Sequence, residues 1–299
     1  MQMSDAELLQ ELERRIAVNR QTVEELRGLN SELKLVNRKL EESESLKSHF
    51  ISNITNEIIN PFTSILGLSR SILSVDKEAW KKVISMVALI HSEAFSLDFQ
   101  FRNIFFAAKV EAGDAVPDIL NVEVLPLVDS VMDNFRYELR KKKVRVQVHE
   151  ELPAPPDGQF SVMFKTDPSY VKLVLANLLN NAVNYSSMGS TIDLTLRVAD
   201  GRLSLAVRDY GTGIAEDSLS EIFDRFTRGD TTINSVSRGH GLGLSVCKAI
   251  TDLLEGTITV ESKLGEGSYF VFEIPESTME TEGFSSEANE IFFDDEEIF

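Results

Sequence analysis

The stretch "NLLNNAVNYS", residues 177–186, sets Asn177 and Asn181 four residues apart at the end of an apolar helical run, "PSYVKLVLA". Residues at i and i+4 share a helix face, so the two amides form a pair. Exposed pairs of this kind are usually just solvated. Two amide oxygens on one face can also hold a hydrated Mg²⁺ with its phosphates, because the hard cation favours oxygen ligands and keeps water. What lies downstream decides between these meanings.

Two further segments bear on it. "TIDLTLRVADGRLSLAVRDYG" alternates apolar and polar residues and turns at Asp200-Gly201, a hairpin pattern. It runs into "DYGTGI", residues 209–214, where a carboxylate leaving a strand can accept a hydrogen bond from an amino group. Gly211 and Gly213 permit close backbone approach there. In "RGHGLGLSVCKAI", Gly239, Gly241 and Gly243 precede a helix, and N–H groups at a helix start suit a polyphosphate. The polar run between these segments, with Phe223 and Phe226, reads as a lid over a ligand. "VRVQVHEEL" alternates like a strand, and "GTITVESKLGEGSYFVFEIP" closes the region as a second hairpin. Strands mixed with helices in this order predict an α+β sandwich over residues 114–275.

Towards the N-terminus the pattern is helical. Over residues 1–45 a heptad places Leu12, Leu26, Leu33 and Leu40 on one seam and Ile16 and Val23 on the other. Asn30 and Asn37 continue the second seam, a device that fixes register in parallel dimeric coiled coils. Residues 46–113 read as an antiparallel helical hairpin. One stripe is Ile51, Ile54, Ile58, Phe62, Ile65, Leu68 and Ile72; the other is Trp80, Val83, Val87, Ile90, Ala94, Leu97, Phe101 and Ile104. Hairpins this narrow bury themselves by pairing, so a dimeric four-helix bundle is expected. "EAGDAVPD" marks the linker to the sandwich.

The chain has 299 residues and a formal charge of −18, half of it from the nine acidic residues of an acidic tail, 276–299. That tail, free of Lys and Arg, reads as disordered. So acidic a chain, with "RKKK" (140–143) as its one basic cluster, argues against nucleic-acid binding. No apolar run reaches the ~20 residues of a membrane span, and the single Cys247 suits a reducing compartment, so a cytoplasmic protein is expected. Cys247 itself reads as a buried bystander.

Taken in order, the three segments resemble the N, G1, F and G2 boxes of the ATP-binding domain of sensor histidine kinases. The helices before them resemble that family's dimerisation and phosphoacceptor domain, down to "AAKVEAGD". The resemblance covers residues 46–275. It implies that Asp209 binds the adenine amino group, that Asn181 coordinates Mg²⁺ with Asn177 nearby, and that Gly211, Gly213, Gly239, Gly241 and Gly243 shape the ATP pocket. Arg228 falls where many members carry a lid arginine. Asn184 departs from the basic residue common at its position.

The larger departure is in "NEIINP", residues 56–61. Family members carry a phosphoacceptor histidine where Asn56 stands; Glu57, Asn60 and Pro61 are in register. An imidazole nitrogen has a free lone pair, whereas a carboxamide nitrogen's is delocalised into its carbonyl, so Asn56 is a very poor nucleophile. The four histidines of the chain fit no acceptor pattern. Several readings stay open: an active kinase whose acceptor was replaced by engineering, a natural pseudokinase acting through conformation or a heterodimer with another kinase, and a phosphatase that uses Asn60 to orient water on a response regulator's receiver domain. A scaffold with a vestigial nucleotide domain is the alternative of a different class.

Overall fold

The computed structural model describes residues 5–76, 79–154, 161–224 and 241–279. Helix α1 runs Asp5–Leu73, 69 residues, with Pro61 inside it and no break at the expected 45/46 boundary. By compactness the chain divides into residues 1–55 and 56–299. In the first unit Val23, Leu26, Leu29, Leu33 and Val36 are all exposed, as are Asn30 and Asn37. The remaining seam residues, Leu12, Ile16 and Leu40, have side chains outside the described residues. Among the described residues no helix is long and apolar enough to cross a membrane.

Helix α2 spans Trp80–Ala112 and stops at Gly113, whose left-handed φ of 75° returns its N–H to the carbonyls of Lys109 and Val110. Only glycine takes that conformation without a Cβ penalty. In the single chain the two expected stripes are partly exposed. Phe62 is 54% exposed, and the neighbouring Pro61 is buried. On α2, Trp80, Val87 and Phe101 are exposed, while Met86, Gln100, Asn103 and Phe106 are buried. The helix carries apolar residues on two faces, and the partner decides which is turned inward.

That partner is the sandwich. Strand β1 (Leu120–Glu123) leads into α3 (Val124–Lys142), followed by β2 (Arg145–Glu151), β3 (Met163–Thr166) and α4 (Pro168–Tyr185). The hairpin β4 (Thr191–Ala199) and β5 (Arg202–Asp209), a short 3-10 turn at Glu216–Ser218, α5 (Gly243–Leu253), β6 (Thr257–Lys263) and β7 (Gly267–Pro275) complete it. The five-stranded sheet has the order β2-β4-β5-β7-β6, with β2 parallel to β4 and the rest antiparallel. β1 and β3 pair as a separate two-stranded sheet.

Alternation sends Ile192, Leu194, Leu196, Leu203, Leu205, Val207, Phe270, Phe272 and Ile274 to one sheet face, all at 5% exposure or less. Against them lie Val171, Val174, Leu175 and Leu178 of α4 and Val246, Cys247 and Ile250 of α5, with Val131 and Phe135 of α3 beside them. Full burial contributes about 1.5–3 kcal/mol for each large side chain, so this layer dominates the stability. Cys247 is fully buried, and the apolar surroundings push its thiol far up, which leaves it unreactive. Phe95 and Phe106 of α2 meet this layer edge to face, against Phe135 and Tyr170, at 5.3 and 5.0 Å.

Asp167 ties the start of α4 in place. Its carboxylate accepts from Tyr170 N at 3.0 Å, as a helix cap, and from Asp118 N at 2.8 Å, holding the linker. Both oxygens are used, and the residue is 3% exposed. Asp167→Ala leaves the buried N–H of Tyr170 and the partly buried N–H of Asp118 without their acceptor, so a loss of about 2 kcal/mol is expected. Urea denaturation followed by circular dichroism measures it, and Asp167→Asn, which can still accept one of the two bonds, should lose about half as much.

Candidate functional site

Asp209 ends β5 and turns into the sandwich interior at 5% exposure. Its Oδ1 accepts from Gly211 N at 2.9 Å. Ser268, its ladder partner on β7, supplies a backbone and a hydroxyl hydrogen bond. Burial pushes the carboxyl above its usual range, and the bonds from Gly211 and Ser268 pull it partly back. A buried acceptor of this kind suits an amino group on a flat heterocycle.

The turn that follows is stitched on two sides. Thr212 N donates to Tyr185 O, the last carbonyl of α4, at 3.3 Å, and Thr212 O accepts from Gly265 N at 2.7 Å. Ile214 N donates to Ser262 Oγ at 2.8 Å. A Cβ on Gly211 would stand 2.2 Å from Tyr185 O, and one on Gly213 would stand 2.0 Å from Lys263 O. Gly213 also has φ of 66°. The glycines are therefore fixed by how closely α4, β5 and the β6–β7 hairpin converge.

On α4, Asn177 is 2% exposed and Asn181 is partly exposed one turn further on. Asn177 is thus not the solvated amide its spacing alone would suggest. A Cβ on Gly243, the first residue of α5, would lie 2.6 Å from Asn177 Oδ1, so the second glycine segment is brought against the first amide. Gly241, just before it, has φ of 68°. The start of α5 and the amide face of α4 together offer N–H donors and amide oxygens, the groups that hold a polyphosphate and a hard cation.

Arg228, Gly239 and the expected lid (Phe226 included) lie outside the described residues; Phe223 packs on the core. Asn56 and Glu57 are in α1, with their side chains outside the described residues, and Asn60 is exposed on the same helix. The basic cluster at 140–143 ends α3, and Lys142 does more than meet water. Its Nζ donates to Val183 O and Asn184 O, both at 2.6 Å, closing the end of α4, and partial burial lowers its pKa.

A cavity of about 250 Å³ opens at the same end of the sheet, lined by Arg208, Asp209, Glu261, Lys263, Glu266 and Tyr269. Arg208 and Tyr269 alternate with the inward Asp209 and Ser268, so their side chains stand on the sheet face opposite α4. The cavity is distinct from the amide face.

Residues 166–278 match the family described as histidine kinase-, DNA gyrase B-, and HSP90-like ATPase. The chain is 27% identical over 234 residues to the circadian input-output histidine kinase CikA of Synechococcus elongatus, covering 78% of this chain and 30% of that protein. It is 26% identical over 234 residues to the sensor-like histidine kinase SenX3 of Mycobacterium tuberculosis, covering 78% of this chain and 54% of that protein. It thus spans between about a third and about half of these relatives. Among solved structures, full-length ShkA in complex with AMPPNP aligns with a TM-score of 0.51 at 23% identity, over 80% of this chain and 47% of that one. This likeness is one of fold: a helical region followed by an α/β ATPase domain.

Proposed function

We propose that the chain is the core of a two-component signalling protein of the histidine-kinase type, one that binds ATP with Mg²⁺ and does not phosphorylate itself. The observation that carries this is Asp209: a carboxylate held at 5% exposure by Gly211 and Ser268, inside the segment that matches the ATPase family. Burying a carboxylate is costly without a purpose or full pairing.

In this reading Asp209 accepts from the adenine amino group. The start of α5 and the glycine segment 239–243 receive the phosphates, and Gly211 and Gly213 shape the pocket floor. Asn181 supplies an oxygen to Mg²⁺, with Asn177 nearby, and Arg228 serves as the arginine near the phosphates. Asn184 offers no cation, which weakens phosphate binding. The nucleotide supplies the transferable phosphoryl group; what this chain lacks is the nucleophile, because the nitrogen lone pair of the Asn56 amide is delocalised into its carbonyl. Glu57 then has no imidazole to assist, while Asn60 can still orient water towards a receiver domain's phospho-aspartate.

Homodimerisation belongs to the same reading. Ile59, Phe62 and Leu66 of α1 and Trp80, Ile84, Val87 and Phe105 of α2 are 47–66% exposed in one chain. A second copy forming a four-helix bundle, with a coiled coil along 1–45, covers them.

Calorimetry with AMPPNP and Mg²⁺ tests the first half, with saturable binding expected; no heat at millimolar ligand favours a scaffold with a vestigial site. Incubation with γ-labelled ATP tests the second, with no acid-labile label expected on the chain. Stable incorporation into the native chain overturns it.

A further inference from the structure

The matched ATPase segment begins at residue 166, yet one of its site residues is held from outside it. Asn177 Nδ2 donates to Asn103 Oδ1 of α2 at 2.7 Å and to Leu173 O at 2.9 Å. A carbonyl only accepts, so Leu173 O fixes which end of the Asn177 amide is nitrogen. Asn103 is fixed in the same way, because its Nδ2 donates to Phe99 O at 2.9 Å. With both Nδ2 protons engaged, the Oδ1 of Asn177 is aimed at Gly243 and the start of α5.

We infer that Asn103 is a positioning residue for the nucleotide site: it sets the orientation of the Asn177 amide, and so couples the packing of α2 to nucleotide affinity. The inference rests on the ATP reading above. Adhesion alone does not account for the residue. A buried amide is costly to desolvate, and an apolar side chain would hold α2 at least as well. The same face carries Gln100, 8% exposed, whose Oε1 has no hydrogen-bond partner among the described residues. An interface built for stability alone would not keep these groups. By linkage, whatever nucleotide does to Asn177 is felt equally at α2, and the reverse.

The test is a double-mutant cycle on the full chain, read as the dissociation constant of AMPPNP–Mg²⁺ by calorimetry. Asn103→Leu keeps the size and removes the acceptor, and about tenfold weaker binding is expected. In an Asn177→Leu background the same change should have no further effect, because Asn103 acts only through that amide. Phe95→Leu is the control, since it loosens α2 against Phe135 without touching Asn177. An equal loss of affinity in Phe95→Leu, or additive losses in the cycle, overturns the inference and leaves the ATP reading standing. Absence of binding by the native chain overturns the ATP reading, and this inference with it.

Discussion

With Asn56→His, the chain is expected to go from no label to an acid-labile phosphoryl group on the new imidazole when given γ-labelled ATP. The substitution restores a ring nitrogen with an available lone pair, beside Glu57 to take or orient its proton and one turn before Pro61. Nothing else in "NEIINP" has to change. Removing a nucleophile from an enzyme that relies on one costs on the order of a million-fold in rate, so the gain should be all or none. Acid treatment separates phosphohistidine from phosphoserine, and autoradiography before and after it provides the measurement. A silent Asn56→His chain that still binds AMPPNP would place the defect elsewhere, with Asn184 the first residue to restore to a basic side chain.

The second large effect is at Asp209. Asp209→Asn presents an amide N–H₂ or a weaker oxygen where a carboxylate met the adenine amino group, and AMPPNP affinity should fall about 100-fold. The fold should move the other way. Burial raises the Asp209 pKa above its ordinary 3.8, so the folded chain holds this proton more tightly than the unfolded one. Stability contributed by that proton is present below the unfolded value and is lost as pH rises through the folded value. At neutral pH the penalty is complete, and the isosteric amide removes it, so Asp209→Asn should be the more stable chain without nucleotide. Urea midpoints of both chains from pH 4 to 8 check the sign: the native chain should lose ground to Asp209→Asn as pH rises from the acid end. Weaker binding together with a lower midpoint at neutral pH would make Asp209 a structural residue.

Much of the sandwich was legible from local chemistry. Asp200 and Gly201 both take positive φ, 52° and 67°, which is what an Asp-Gly hairpin demands. The alternation in "TIDLTLRV" and "SYFVFEI" told the inner sheet face from the outer one. Other parts depend on neighbours that spacing does not reveal. α3 is easily passed over because Pro126 sits in its first turn, although Leu127, Val131 and Phe135 recur at steps of four. β1 and β3 have four residues each, too few to show a period. Ser268 becomes significant only when β5 and β7 are set in register, and Gly267 before it was the available signal. Asn103 falls outside every motif, and its partner is 74 positions away.

The ammonium of Lys142 on the last carbonyls of α4 bears on where the ATPase can be cut from the rest of the chain. A fragment starting at residue 166 would also lack the whole β1–β3 pair except Thr166, and β2, which covers the outer edge of β4. It would expose a bare sheet edge, an open helix end and the pocket vacated by Phe135 of α3. The segment recognised by family likeness is therefore narrower than the packed sandwich, which reaches back at least to Asp118, whose N–H the cap of α4 still holds.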